Sequence, residues 1–161
     1  MGRRRPRRGA PVRTSPVLPI TTAMAKADIA VYRPSTGTWH IVRSTTGVAY
    51  AVTWGEVRDT PVPADFDGDG RADTAVFRSS DGTWFVNRST AGALSVSWGT
   101  AGDIAVPSDY DGDGKADFAV YRPSTAQWFI YNSQTGTTST ITLTPPAWGN
   151  GADVPLLRRQ P

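Results

Sequence analysis

Two nine-residue segments concentrate carboxylates at a spacing that suits a cation. "DFDGDGRAD" covers residues 65–73 and "DYDGDGKAD" covers residues 109–117. Each segment places four Asp side chains around two Gly residues, and carboxylates this close repel one another unless a positive charge lies between them. The Gly at the sixth position permits a sharp turn with positive φ, which would direct the acidic side chains inward. The spacing therefore predicts two metal-binding loops.

The predicted ligands are all oxygen atoms. Positions 1, 3, 5 and 9 of each loop supply a carboxylate, and position 7 supplies its backbone carbonyl. Such hard ligands, at about 2.3–2.6 Å, suit Ca²⁺ better than Mg²⁺, which requires a stricter octahedron. The loops differ from an EF-hand, because Val76 and Val120 stand at position 12 and no helical pattern flanks them. The predicted ligands are Asp65, Asp67, Asp69, Arg71 and Asp73 in the first loop, and Asp109, Asp111, Asp113, Lys115 and Asp117 in the second.

A solvated turn is the alternative interpretation of either loop, since Asp and Gly are among the commonest turn residues. The second loop repeats all four acids at the same positions 44 residues later, which favours a metal. We therefore expect Ca²⁺ as the cofactor.

Charge and composition limit the classes of function. The chain has 161 residues and a formal charge of +3, but six Arg lie within residues 3–13. Residues 26–161 carry 11 basic and 14 acidic residues, which argues against nucleic acid as a partner of the body. The chain has no Cys and hence no disulfide or thiol chemistry. No apolar run approaches the roughly 18 residues of a membrane-spanning helix.

A repeat of about 44 residues organises the chain. The repeated segments begin "KADIAVYR" at residue 26, "RADTAVFR" at residue 71 and "KADFAVYR" at residue 115. Each unit predicts four strands, in which β-branched and aromatic residues are separated by turns of Ser, Thr, Gly and Asp. Residues 74–77 are apolar on both sides and predict a strand buried on both faces, whereas Leu94 and Val96 alternate with Ser as in an outer strand. The aligned tryptophans are Trp39, Trp84 and Trp128, and the aligned Trp-Gly pairs begin at Trp54, Trp98 and Trp148.

Stacked four-stranded units predict an all-β fold of three antiparallel β-propeller blades, a partial propeller. The expected division is a disordered basic tail at 1–15, a degenerate first repeat at 16–64 without a proper first strand, a second repeat at 65–108, a third at 109–155 and a tail at 156–161. Because the tryptophans recur, we expect them to pack between blades rather than stack on sugars. Arg33, Arg78 and Arg122 also recur, either paired with acidic strand ends or as ordinary surface charges.

The loop D-x-D-G-D-G-x-x-D followed by x-A-V-[YF]-R resembles the FG-GAP repeats of integrin α-subunit propellers and the related VCBS repeats of bacterial surface and secreted proteins. The resemblance spans residues 26 to about 155. It implies Ca²⁺ bound in the hairpin between the first two strands of a blade. It also implies a role in adhesion, in sugar binding or as an appendage of a carbohydrate-active enzyme. A complete ring of this family has more blades than the three found here.

The leading functional hypothesis is a non-catalytic, Ca²⁺-binding propeller segment of an extracellular or cell-surface adhesion or recognition protein. A carbohydrate or a cell-surface protein is the expected partner. The alternative is the accessory, carbohydrate-binding propeller part of a secreted carbohydrate-active enzyme. A third interpretation is self-assembly of two three-blade chains into a six-blade ring. Catalysis by this chain is not expected, because His40 is the only His, Cys is absent and no nucleophile motif occurs.

The basic head is open to several interpretations. It contains no convincing signal peptide, since the apolar stretch at residues 16–20 is shorter than the roughly 7–15 residues required and holds two Pro. A disordered tail and a targeting or nucleic-acid-binding arm are two alternatives. A third is mistranslation. A coding stretch for Asp-Tyr-Asp-Gly-Asp-Gly with its first base deleted translates to Ile-Thr-Thr-Ala-Met-Ala, which is residues 20–25, and "LRRQP" at the other end permits a similar explanation.

Overall fold

Short antiparallel strands form all the regular structure of a computed structural model, which describes residues 15–16, 20–22, 26–142 and 155. Within these residues there is no helix, and thus none long and apolar enough to cross a membrane. In chain order the strands are β1 (Ser15–Pro16), β2 (Ile20–Thr22), β3 (Lys26–Arg33), β4 (Thr38–Val42), β5 (Ala49–Thr53), β6 (Thr60–Pro61), β7 (Thr74–Arg78), β8 (Thr83–Arg88), β9 (Gly92–Ser97), β10 (Ile104–Ala105), β11 (Phe118–Arg122), β12 (Gln127–Tyr131) and β13 (Thr138–Thr142).

The strands form three antiparallel sheets that follow the sequence repeat. The first sheet has the order β1-β3-β4-β5, with β2 also paired to β3. The second sheet has the order β6-β7-β8-β9, and the third has the order β10-β11-β12-β13. The prediction of an all-β chain built from antiparallel units of this kind is confirmed. Among the described strands, no sheet closes on itself.

The first sheet contains an inner strand that we did not expect. Ser15 of β1 pairs with Tyr32 of β3, as Thr60 pairs with Phe77 and Ile104 with Tyr121 in the other sheets. A short strand therefore occupies this position in the first repeat, where no proper first strand was expected. The strand forms without a recognisable sequence pattern because ladder hydrogen bonds use backbone groups. Residues 1–14 and 156–161 lie outside the described residues.

Burial follows the predicted faces. The first four residues of β7 are all buried, as expected for a strand covered on both sides. In β9, Leu94 and Val96 are half-buried whereas the residues between and after them are exposed, so the predicted outer strand is confirmed. The second and third sheets share a core in which the ring of Phe66 stacks on that of Phe118 with centroids 5.1 Å apart. The first and second sheets meet through Trp39 and Val76, both fully buried.

Tryptophans join each sheet to the next. The Trp39 indole nitrogen donates to the Trp54 carbonyl oxygen at 2.9 Å within the first sheet's repeat. The Trp54 indole nitrogen in turn donates to the carbonyl oxygen of Phe85 in the second sheet at 3.0 Å. These contacts place both rings in packing between strands and between sheets. The same two contacts recur from Trp84 to Trp98 at 2.7 Å and from Trp98 to Phe129 at 3.2 Å.

Two of the recurring arginines form buried ion pairs with the linkers that precede their sheets. Arg78 donates to both carboxylate oxygens of Asp59 at 2.9 and 3.0 Å. Arg122 binds Asp103 in the same way at 2.8 and 2.9 Å. Both Asp side chains are almost fully buried, so each pair fixes the linker between one sheet and the next. The sequence left open whether the recurring arginines are paired with acidic residues or are ordinary surface charges, and these two are paired.

Candidate metal centre

Each acidic loop folds around the carboxylate of its first Asp. In the first loop, residues 65–73, Asp65 accepts backbone N–H groups of Gly68 at 2.7 Å, Asp69 at 3.2 Å and Gly70 at 2.8 Å. The expected positive φ occurs at the sixth position, +80° at Gly70. In the second loop, residues 109–117, Asp109 accepts in the same way from Gly112, Asp113 and Gly114 at 2.6, 3.2 and 2.9 Å.

The Asp at the ninth position anchors each loop to the sheet. Asp73 is 1% exposed and accepts the backbone N–H groups of Phe66 at 2.8 Å and Ser89 at 2.7 Å. Asp117 is fully buried and accepts the corresponding groups of Tyr110 and Ser133 at 3.0 and 2.9 Å. These bonds hold the start of the loop, its end and the following hairpin together.

A carboxylate triad able to hold a metal ion lies in each loop. Oxygens of Asp65, Asp67 and Asp73 lie within 4.8 Å of one another in the first loop. In the second loop the triad within this distance consists of Asp109, Asp111 and Asp113. The two triads differ in one member, since the first omits Asp69 and the second omits Asp117.

One carboxylate oxygen in each loop is buried without a hydrogen-bond partner. These oxygens are Oδ1 of Asp67 and Oδ2 of Asp113. A buried anionic oxygen is costly unless it is hydrogen-bonded, paired or bound to a metal, and buried polar groups without partners are rare. Both residues belong to the triads, so the loops fit a cation at the point where the acids converge.

The following β-hairpin closes over the first loop. Thr90 donates its backbone N–H and its hydroxyl to Oδ2 of Asp67, at 3.0 and 2.7 Å. The hydroxyl of Ser89 donates to Oδ2 of Asp69 at 2.5 Å. In the second loop, the side-chain amide of Asn132 donates to Asp111. The hairpin thus orients the remaining acids and leaves one oxygen of Asp67 for a cation.

Sequence reasoning did not identify these hairpin residues as part of the site. A signal was available, because Ser89 and Ser133 each follow the ninth-position Asp by 16 residues. The first sheet preserves this contact without an acidic loop. Its buried Asp28 accepts the backbone N–H of Ser44, also 16 residues later, at 2.8 Å.

The acids of the first loop titrate differently. Burial alone would raise the pKa of Asp67, but hydrogen bonds from Thr90 and Ala91 outweigh it and hold the pKa below its usual range. Burial raises the pKa of Asp73 to about 6, and the charges of Asp67 and Asp65 add to the increase. Without a counter-charge, one carboxylate of this loop therefore resists ionisation.

The acids of the second loop show the same opposition. Burial opposes ionisation of Asp109, but the backbone N–H groups of Gly114 and Gly112 lower its pKa. Desolvation raises the pKa of Asp111, and the charges of Asp117 and other loop acids raise it further. Adjacent carboxylates repel one another when no cation lies between them, and this repulsion makes their ionisation unequal.

The residues at position 7 lie on the rim of the loops. The backbone N–H of Arg71 donates to Asp69 at 2.8 Å, and that of Lys115 donates to Asp113 at 2.7 Å. Arg71 is exposed and Lys115 is half-buried. The ligand role of their carbonyl oxygens stays a prediction.

The two loops touch each other. The backbone N–H of Ala116 in the second loop donates to the carbonyl oxygen of Asp65 in the first loop at 2.6 Å. The side chain of Lys115 passes close to Gly68, where an added Cβ would lie 3.0 Å from its Cγ. The candidate centres are therefore neighbours on one edge of adjoining sheets.

His40 lies in the first sheet, outside the two acidic loops. It is in β4, and its Nε2 is buried without a hydrogen-bond partner beside apolar Val31 and Ala51.

Comparison of the chain with protein-family profiles, with curated proteins and with solved structures gives no match in any of the three.

Proposed function

We propose that the chain is a non-catalytic, Ca²⁺-binding segment of an extracellular adhesion or recognition protein. Its sheets would be consecutive blades of a β-propeller, and each ion would hold the first two strands of a blade together. The predicted ligands are the ones given above for residues 65–73 and 109–117. The ion's contribution is structural: it neutralises the clustered acids and couples its binding free energy to folding of the loop.

The observation that carries this proposal is the buried, unpartnered oxygen in each loop, on Asp67 and Asp113. The other carboxylate contacts of the two loops are with backbone N–H groups, with hydroxyl groups and with the side-chain amide of Asn132, so these two oxygens are left for a ligand of positive charge. An all-oxygen set with several carboxylates suits Ca²⁺. Loops of this kind in extracellular modules bind at about 10⁻⁴–10⁻³ M, which favours a compartment with abundant Ca²⁺.

Two further observations support the propeller arrangement. All three sheets are antiparallel, the second and third have four strands and the first has β2 in addition, and the same indole-to-carbonyl contact joins successive sheets. Of the aligned tryptophans that the structure describes, Trp39 and Trp84 are fully buried, Trp54 and Trp98 bind the next sheet, and Trp128 is half-buried. Because these rings are engaged in packing, they favour the adhesion hypothesis over stacking on sugars.

Thermal unfolding with and without calcium tests the proposal. We expect Ca²⁺ to raise the unfolding midpoint of the chelator-treated protein, and Mg²⁺ to raise it less. At a concentration 100 times Kd, ligand binding contributes about 2.7 kcal/mol, which corresponds to several degrees for a chain of this size.

Two substitutions make the experiment specific. Asp67→Asn removes one charge and the unpartnered oxygen's anionic character, and we expect it to reduce the calcium-dependent increase in midpoint. Asp81→Asn, in the exposed turn between β7 and β8, is the matched control and should keep the full increase. A midpoint that ignores both chelator and calcium in the unsubstituted protein contradicts the proposed function.

A further inference from the structure

The acid at position 5 makes one contact that is the same in both loops. Oδ1 of Asp69 accepts the backbone N–H of Arg71 at 2.8 Å. Oδ1 of Asp113 accepts the backbone N–H of Lys115 at 2.7 Å. Because this contact occupies the same oxygen in each loop, the two acids are best compared through what binds Oδ2.

A hairpin Ser binds that second oxygen in the first loop but not in the second. The hydroxyl of Ser89 donates to Oδ2 of Asp69 at 2.5 Å. Ser133 holds the equivalent place in the second hairpin, because its backbone N–H binds the ninth-position Asp of its loop as that of Ser89 does. The buried hydroxyl of Ser133 nevertheless has no partner among the described residues, and neither has the buried Oδ2 of Asp113.

Membership of the carboxylate triads follows this difference. Asp69, which binds the Ser89 hydroxyl, is outside the triad of the first loop, whereas Asp113 belongs to the triad of the second. A cation that recruits Asp69 through Oδ2 must therefore replace the hydrogen bond from Ser89. The first loop thus shows the acid engaged by the hairpin, and the second shows the same acid free of it.

The acid that carries the unpartnered oxygen differs between the loops in the same sense. In the first loop, Thr90 binds Oδ2 of Asp67 and Oδ1 has no partner. In the second loop, the backbone N–H of Asp113 and the side-chain amide of Asn132 each bind one oxygen of Asp111. The unpartnered oxygen therefore moves from position 3 to position 5 in the loop whose Ser hydroxyl does not bind position 5.

We infer that the hydroxyl of Ser89 competes with a bound cation for Oδ2 of Asp69, and so sets the affinity of the first loop. A hydrogen bond that exists only in the empty loop stabilises the empty loop and opposes binding. Ser89 is thus a positioning residue that acts through Asp69 and not a ligand. The inference rests on the proposed function, since it concerns how the same loops bind Ca²⁺.

Calorimetric calcium titration of the full chain, one loop at a time, tests this inference. Asp109→Asn removes the central acid of the second loop so that the first is measured, and Asp65→Asn does the reverse. In the Asp109→Asn protein, Ser89→Ala should tighten calcium binding about tenfold, the factor that corresponds to one hydrogen bond to a charged group. In the Asp65→Asn protein, Ser133→Ala should not tighten binding, because its hydroxyl has no acid to release. Ser80→Ala, at an exposed Ser between β7 and β8, is the matched control and should leave the affinity unchanged.

Thermal unfolding in chelator separates this competition from a general effect on folding. Ser89→Ala should lower the midpoint of the metal-free protein, because Asp69 loses a donor, and should still bind calcium more tightly. Ser89→Thr keeps a hydroxyl and should restore the original affinity. Weaker or unchanged binding in Ser89→Ala overturns the inference alone, as does equal tightening in Ser133→Ala. Absence of calcium binding by the unsubstituted protein overturns the proposed function and the inference together.

Discussion

Asp73 has two roles at the scale of a single residue. Its carboxylate joins the start of the first loop to the following hairpin through two backbone N–H groups, and it belongs to the acid triad. Burial raises its pKa to about 6 from an ordinary value of 3.8. A carboxyl group that binds its proton more tightly in the folded state stabilises that state most when it is protonated.

This shift predicts the pH dependence of the metal-free protein. The contribution of Asp73 to the free energy of unfolding should be fully present below pH 3.8 and should be lost as the pH rises through about 6. Urea unfolding in chelator, compared between the unsubstituted protein and Asp73→Asn, isolates this contribution. We expect the difference in stability between the two proteins to change in that interval. An identical dependence in both proteins would contradict the assignment.

At the scale of the elements, the turn between the second and third strands has room for a side chain in the third sheet but not in the second. Gly82 has φ +74°, and an added Cβ would lie 2.3 Å from the carbonyl carbon of Gly99. Ala126, at the same turn of the third sheet, has φ +53° although it is not Gly. The left-handed conformation costs a non-Gly residue about 1–2 kcal/mol.

Opposite substitutions at these two turns should therefore have opposite effects. Gly82→Ala should destabilise the protein by at least the roughly 1–2 kcal/mol of backbone strain, because the clash with Gly99 adds to it. Ala126→Gly should stabilise it by up to about 1 kcal/mol, since relief of strain exceeds the added flexibility of the unfolded chain. Urea unfolding at neutral pH measures both, and an Ala126→Gly variant of lower stability would contradict this account.

The sequence predicted the elements better than the contacts between them. Alternation of Leu94 and Val96 with Ser identified an outer strand, because a half-buried strand has a period of two. The contact of Thr90 with Asp67 was not predictable, since it depends on how a hairpin 23 residues away folds back over the loop. Strand β1 was missed for a related reason: backbone pairing with β3 sets its place, and its own residues carry no strand pattern.

At the scale of the whole molecule, stability should be greatest in the middle. The second sheet is covered on both faces by its neighbours, and the first four residues of its strand β7 are all buried. By contrast, β13 is exposed along its whole length and β5 along most of it. Local opening is easiest where few apolar contacts hold a strand.

Hydrogen exchange should reproduce this order. We expect the backbone amides of β7 and β8 to exchange slowest, and those of β5 and β13 to exchange earlier by local opening. Peptide-resolved exchange followed by mass spectrometry measures these rates. Equal protection of all three sheets would indicate one cooperative unit rather than a stable centre with weaker flanks.

The hydrogen bond from Ala116 to the carbonyl of Asp65 means that neither acidic loop can rearrange alone. If an ion orders the first loop, it fixes the carbonyl acceptor that positions the second loop. Binding of the second ion then loses less conformational entropy, because its loop is already partly ordered. Binding should then be cooperative, with a Hill coefficient above 1 in a calorimetric titration. Such a pair responds to a change in ion concentration more steeply than two independent sites, and disabling the first with Asp65→Asn should flatten that response.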